Sequence, residues 1–212
     1  MTDDTIDLNE LERDALTELV NIGVSRAAAS LRKMVEKEVI LSVPSVEIVT
    51  RKSAASLIGQ RESEALIAVQ QQFEGPFSGR ALLIFPQSNG LSLVRAIVGD
   101  EMEEAELLEM EDEALAETGN VILNGCLGSM ANMLQHSLKM SLPDVLRGDS
   151  SLLFEVYNRS GEGSFVLFLY INFSVRERDI RGYIAMIMDL PSMEKLKQLI
   201  GDFIDRVMTD TE

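Results

Sequence analysis

The sequence predicts an α+β fold: a pseudo-symmetric duplication of an α-β-β-β-α unit, giving a six-stranded, mostly antiparallel sheet with two long motif-bearing helices. Three observations carry this prediction. Asp14-x3-Glu18-x2-Asn21-x22-Pro44 recurs 99 residues later as Glu113-x3-Glu117-x2-Asn120-x22-Pro143, and an internal repeat organises every later reading. Pro86 to Gly99 and Pro191 to Gly201 echo each other as proline, amphipathic helix, glycine. Hairpin-like strand pairs stand between helices without regular βαβ alternation, which favours an antiparallel sheet over a doubly wound parallel one.

The elements follow in order. The first helix starts after Asn9, which with Glu12 three residues on forms a capping box. Its apolar face is Leu16, Val20, Val24, Ala27, Leu31 and Met34. Val39 to Thr50 alternates and is rich in Val and Ile, so it reads as a strand. Arg51 to Glu64 reads as a polar connection with a short helical turn at Ala54 to Leu57. Ala65–Phe73 and Ser78–Phe85 form a hairpin around Glu74-Gly75-Pro76. Gly90 to Val98 is a helix closed by Gly99.

The second half repeats this plan: a long helix over about Met110–Lys139, strands at Leu152–Tyr157, Gly163–Val175 and Arg181–Leu190, and a closing helix over Met193–Met208. The expected organisation is one domain over 1–212, with repeat 1 at about 9–99, an acidic connector at 100–109 and repeat 2 at about 110–208. Pro44 and Pro143 are expected beyond the helix ends, near the start of the next strand, where proline is tolerated.

Positions 14, 18, 21 and 25 run i, i+4, i+7, i+11, one stripe of a helix at about 100° per residue. The first stripe is Asp14, Glu18, Asn21 and Ser25; the second is Glu113, Glu117, Asn120 and Asn124, opposite Leu115, Gly119, Leu123, Cys126, Met130 and Met133. Each stripe should face solvent or a partner. Glu is a good helix former and expected on any solvated face. Asn is a mediocre one, because its amide competes for backbone bonds, so mid-helix Asn at matched positions is the more informative residue. A duplicated segment inherits residues by descent, however, and the pattern alone leaves a solvated face and a functional stripe both open.

Composition narrows the chemistry. The chain has 212 residues, 46% of them hydrophobic, enough for a substantial core. No apolar run reaches membrane-span length, and the acidic start Met1-Thr2-Asp3-Asp4 does not read as a signal peptide, so a cytoplasmic location is expected. A net charge of −16 disfavours nucleic acid and anionic membranes as partners. The acids concentrate between Asp100 and Glu117, with no Lys or Arg from Ala96 to Leu138; this run reads as a solvated connector or as a steering surface for a basic partner.

Cys126 is the only cysteine and lies on the apolar helix face, so it reads as a core residue. His136 is the only histidine, so the usual zinc ligand sets are missing, and no G-x-S-x-G elbow accompanies it. Gly119, Gly125 and Gly128 belong to no phosphate-loop pattern and read as helix-packing positions. The 11 methionines, among them Met34, Met130, Met133, Met186 and Met188, read as core.

The doubled D/S-x3-E-x2-N-x22-P motif resembles the signature of the CheC-type chemotaxis phosphatases, the CheC/CheX/FliY family. Glu18-Leu-Val-Asn21-Ile22-Gly23 resembles the family's E-x-x-N-I-G, followed here by Ala27-Ala28-Ala29, and Val43-Pro44-Ser45-Val46-Glu47-Ile48-Val49 resembles the strand after it. Two motifs in a chain of this length look most like the CheC branch. The resemblance implies hydrolysis of the phospho-aspartate of CheY-like response regulators. It implies Glu18 and Asn21, and Glu117 and Asn120, as active residues, the Glu contacting the regulator's lysine and the Asn orienting the attacking water. Asp14, Ser25, Glu113 and Asn124 complete the stripes.

The magnesium in such a reaction belongs to the regulator, so no cofactor of the chain's own is expected, and a monomer with two pseudo-symmetric sites is the expected state. Some family members bind the receptor deamidase CheD, which the resemblance brings in as a second partner. Glu113 stands where the family usually has Asp or Ser, and Val-Ile-Leu follows Asn120 in place of Ile-Gly, so the Glu18/Asn21 copy matches the pattern more fully.

The proposed roles agree with elementary chemistry. Phosphoryl transfer needs mainly positioning and charge stabilisation, and a neutral amide can both donate to and accept from a water. A glutamate on the same face supplies an anion for a partner lysine. The competing reading is a binding module or scaffold for a response regulator or CheD without turnover.

Overall fold

The computed structural model describes residues 6–36, 38–99, 103–155, 165–175 and 178–209. The chain runs α1 (Glu10–Val35), β1 (Val39–Thr50), α2 (Arg51–Arg61), β2 (Leu66–Glu74), β3 (Gly79–Pro86), α3 (Gln87–Val98), α4 (Glu104–Met133), β4 (Lys139–Met140), β5 (Asp144–Gly148), α5 (Ser150–Glu155), β6 (Phe165–Val175), β7 (Arg178–Met188) and α6 (Leu190–Thr209). All strand pairs are antiparallel, in the order β1-β6-β7-β3-β2-β4, with β5 also pairing β2.

Exchanging the two halves (β1 with β4/β5, β2 with β6, β3 with β7) reverses this order onto itself. The pseudo-twofold axis therefore passes between β3 and β7, which pair directly. The outer strands are swapped: β1 of the first half pairs with β6 of the second, and β5 of the second pairs with β2 of the first. Neither half completes its sheet alone.

Both sheet faces are covered, which explains the long apolar runs of β3 and β6. On one face Ile67, Val69, Leu83, Leu167 and Leu169 pack beneath α1, α3, α4 and α6. On the other, Ala68, Leu82, Val166 and Phe168 pack beneath Ala54 and Ile58 of α2 and Leu153 and Phe154 of α5. Met130, Met186 and Met188 are buried in the first cluster, with Met34 and Met133 packed at its margin.

The predicted α-β-β-β-α unit is corrected to α-β-α-β-β-α. The expected strand at Leu152–Tyr157 is the helix α5, and residues 156–157 lie outside the described set. Asp149 Oδ1 accepts from the Leu152 backbone N–H and starts this helix. The strand of that repeat lies earlier, as β4 and β5, where Ser141-Leu-Pro143 interrupts it and hides its pattern. Arg51–Arg61 is a helix throughout: Thr50 caps it by accepting from the Ser53 N–H at 3.1 Å, and Ala54 and Ile58, four apart, are its only buried residues. Two core contacts are too few for a visible period.

The second motif helix starts earlier than expected, at Glu104. Much of the predicted connector is thus helical, anchored by the fully buried Leu107, and the helix ends at Met133 rather than Lys139. Residues 100–102 lie outside the described set. Pro44 lies inside β1, not near its start. The β1–β6 ladder shifts register between Ser42 and Ser45. Pro143 sits in the matching break between β4 and β5. Both prolines stand in outer strands where the ladder is already interrupted, a place that tolerates a residue without an N–H.

Candidate active site

The capping box at Asn9 is formed in both directions, Glu12 N–H to Asn9 Oδ1 and Asn9 N–H to Glu12 Oε2, each 2.9 Å. It starts α1 in the register that buries Leu16, Leu19, Val20, Gly23, Val24, Ala27 and Leu31. That register leaves Asp14, Glu18 and Ser25 exposed and Asn21 half-buried. On α4, Leu115, Gly119, Leu123, Cys126 and Met130 face the core, Glu113 and Glu117 are exposed, and Asn120 and Asn124 are half-buried. The asparagines sit deeper than a wholly solvated stripe would have them. A step of three residues rotates about 60° back from a full turn, so each Asn lies at the boundary between its Glu and the core.

Helices α1 and α4 pack on each other along glycines. A Cβ on Gly23 would stand 2.8 Å from the Cys126 carbonyl oxygen, and one on Gly125 would stand 2.8 Å from Ala27 Cα. Gly119 brings α4 down onto β2, where an added Cβ would meet Val69 Cγ1 at 2.5 Å. Gly128 differs from the expectation: nothing lies within 4 Å of its Cβ position. Cys126 is fully buried, and desolvation pushes its thiol up to about 12, the behaviour of a core residue. His136 is exposed beyond the end of α4.

The two stripes differ in what holds their asparagines. Among the described residues, Asn21 makes no side-chain hydrogen bond. Asn120 Oδ1 accepts from Gln71 Nε2 at 3.0 Å and from Asn124 Nδ2 at 2.6 Å, and Gln71 Nε2 also donates to the Ser141 carbonyl at 2.8 Å. Glu18 and Glu117 have no ion-pair partner among the described residues. Beside the second stripe, Arg147 of β5 pairs with Glu111 at 2.9 Å and with Asp112, fixing the outer strand to α4. At the far end of the first stripe, an open groove of about 740 Å³ runs from Ser25 past Ala28, Arg32 and Lys33 to Glu36. It adds two cations, Arg32 and Lys33, and two carboxylates, Glu36 and Glu38, to the lip of that site.

Gln71 is the functional candidate that sequence reasoning missed. Its signal was Gln70-Gln71-Gln72 within an otherwise apolar strand, where a polar side chain pointing into the core needs an explanation. Gln70 has a structural one on the opposite face: Arg80 donates to it and it donates to Asp144.

No group of three His, Cys, Asp or Glu residues comes together as a metal-ligand set among the described residues, and no helix there is long and apolar enough to cross a membrane. Chemically, each stripe offers a partner an unpaired carboxylate and, one turn on, a neutral amide.

The family models and the curated relatives agree with one another. The CheC-like family model matches residues 11–48, which carry the first motif through Pro44, and the chemotaxis phosphatase CheX model matches residues 67–169, which carry the second. The chain is 23% identical over 202 residues to the CheY-P phosphatase CheC of Bacillus subtilis, covering 92% of this chain and 96% of that protein. It is 28% identical over 141 residues to the flagellar motor switch phosphatase FliY of the same organism, covering 66% of this chain but only 36% of that relative's length. The FliY crystal structure from Thermotoga maritima superposes with a TM-score of 0.71 at 18% identity, covering 93% of this chain and 100% of that one. The shared sequence patterns extend over both motifs and the shared fold over nearly the whole chain: the protein is similar to the CheC-like and CheX phosphatase families in both of its halves.

Proposed function

We infer that this chain is a hydrolase that accelerates loss of phosphate from the phospho-aspartate of a CheY-like response regulator, a cytoplasmic partner met in chemotaxis signalling. Relatives named as CheY-P phosphatases support the reaction. The observation that carries it to particular residues is the pairing, on one exposed helix face, of the unpaired Glu18 carboxylate with the half-buried Asn21 amide, repeated as Glu117 with Asn120.

In this reading the glutamate takes the regulator's lysine as a charge-assisted partner, and the asparagine holds the reactive geometry at the phosphorus. A water oxygen bonds to phosphorus in line as the P–O bond to the aspartate breaks. The carboxylate leaves with the bond's electron pair, and the water's protons go to phosphate and solvent. Such a reaction asks the protein for positioning and charge stabilisation, not for a nucleophile, and orientation alone contributes ~10²-fold or more. The chain needs no cofactor in this scheme; the magnesium is the regulator's. The same reading admits CheD as a second partner.

The test is phosphate release from a CheY-like regulator phosphorylated with acetyl phosphate. Asn21→Ala with Asn120→Ala is expected to abolish acceleration while regulator binding persists. Wild-type turnover by the double variant sinks the catalytic reading. A binding module without turnover is the second reading. At the second stripe both lone pairs of Asn120 Oδ1 are already occupied, so a bound regulator meets the NH2 of that amide and not its oxygen.

A further inference from the structure

Gln71 is 1% exposed and its Oε1 has no hydrogen-bond partner among the described residues. A buried acceptor left unpaired destabilises the fold, and packing does not demand one here. Val145 pairs with Val69 while Val46, its counterpart 99 residues earlier, pairs with Leu169, so Gln71 corresponds to Ile171 in the other half. Ile171 is buried in the same apolar cluster. An aliphatic side chain therefore fills this position where nothing polar is required of it.

The hydrogen bonds fix the orientation of every amide in the chain of contacts. The Ser141 backbone carbonyl can only accept, so the Gln71 atom 2.8 Å from it is the nitrogen Nε2. That nitrogen lies 3.0 Å from the Asn120 side chain, so the Asn120 atom facing it is Oδ1. Asn124 must then present its own nitrogen, at 2.6 Å. With both lone pairs of Oδ1 taken, the group that Asn120 has left for a partner is its NH2.

We propose that Gln71 is a positioning residue of the second site. Anchored on the Ser141 carbonyl, it holds the Asn120 amide as a hydrogen-bond donor to a phosphoryl oxygen of the bound phospho-aspartate. The proposal rests on the reading of Asn120 as a working residue. A loose phosphoryl-transfer transition state spreads charge over three equatorial oxygens, and a preoriented donor stabilises that charge. The first site lacks the device: Ile171 and Ser25 stand where the second site has Gln71 and Asn124, and Asn21 is free to turn either end of its amide outward.

In an Asn21→Ala background, phosphate release from an acetyl-phosphate-treated CheY-like regulator reports the second site alone. Gln71→Met there is expected to lower kcat on the order of 10- to 100-fold with KM unchanged. In an Asn120→Ala background, which reports the first site, the same substitution has no amide to act on and the rate is expected within about twofold of its parent. An unchanged kcat at the second site, or an equal loss at both sites, overturns the proposal. So does an Asn21→Ala protein with no turnover left for Gln71 to support. If Asn120→Ala removes the second-site rate but Gln71→Met does not, this proposal fails and the parent reading stands; if the double Asn variant keeps full turnover, the parent reading fails. Hydrogen exchange of the Gln71 side-chain NH2, followed by NMR in the unsubstituted protein, needs neither a folded Met variant nor a regulator. Both protons are expected to be slow, with one released by Asn120→Ala; fast exchange of both overturns the anchoring.

Discussion

Gly119 lies directly against Val69: a Cβ on the glycine would come within 2.5 Å of Val69 Cγ1 and 2.6 Å of its Cβ. The next residue on α4 is Asn120 and the next core-facing residue on β2 is Gln71, so the same close approach that excludes a side chain at 119 brings these two amides within 3.0 Å. The first motif helix has Val20 at the corresponding position, buried but full-sized. The two sites diverge at this glycine. Gly119→Ala gains about 1 kcal/mol of helix propensity and meets an overpacking cost of about 1–3 kcal/mol; with three Val69 atoms inside 3 Å, the cost wins. Urea denaturation is expected to show net destabilisation, and phosphate release through the second site is expected to fall while the first keeps its rate.

Gly128 makes the opposite case on the same helix. Its Cβ position is open, with nothing within 4 Å, and its backbone is helical. Gly128→Ala is therefore expected to stabilise the fold by about 0.5–1 kcal/mol through propensity alone, read as a higher urea midpoint at constant m-value. A destabilised Gly128→Ala would mean that this face of α4 is occupied.

Much of the architecture was legible because two periods were strong. The capping box at Asn9, the apolar stripe from Leu16 to Leu31 and the β2–β3 hairpin follow directly from residue spacing. Where the reading failed, the local signal was weak. α2 buries only Ala54 and Ile58, and β4/β5 is split by Pro143, so a helix read as a connection and a helix, α5, read as a strand. The exposed part of each candidate site was legible because Glu18 and Glu117 lie on the polar face of long helices. Gln71 was not, because its meaning depends on a contact 49 residues away that only the swapped sheet order creates.

Glu18 presents an exposed carboxylate without an ion-pair partner among the described residues, at the site whose far lip carries Arg32 and Lys33. If it meets a lysine of the regulator, Glu18→Gln keeps the shape and removes the charge. The expected result at the first site is a rise in KM of roughly 10- to 100-fold, the scale of one charge-assisted hydrogen bond at about 1.5–3 kcal/mol. The dependence of KM on salt is expected to flatten. Steady-state phosphate release in an Asn120→Ala background, at low and high ionic strength, measures both. An unchanged KM would remove Glu18 from the contact.

Cys126 ties stability to alkaline pH. Its thiol is fully buried where α4 meets α1, and desolvation raises it from 9.0 to about 12. The folded state therefore holds a proton that the unfolded chain releases above pH 9.0. A raised folded-state value contributes stability that is complete below the unfolded value and is lost as pH climbs toward the folded one, so this loss runs from about pH 9 to about pH 12. Tyr183, also pushed up by burial and by its bond to Glu62, adds a second loss that begins only above its ordinary value of 10.0. Cys126→Ala lowers stability at every pH by leaving a small cavity, but the slope of unfolding free energy between pH 9 and 10 is expected to flatten in this variant alone. Tyr183→Phe is expected to leave that interval unchanged and to flatten the slope above it. Urea titrations at half-unit steps separate the two, and an unchanged slope in Cys126→Ala would show that the thiol does not titrate on unfolding in this range.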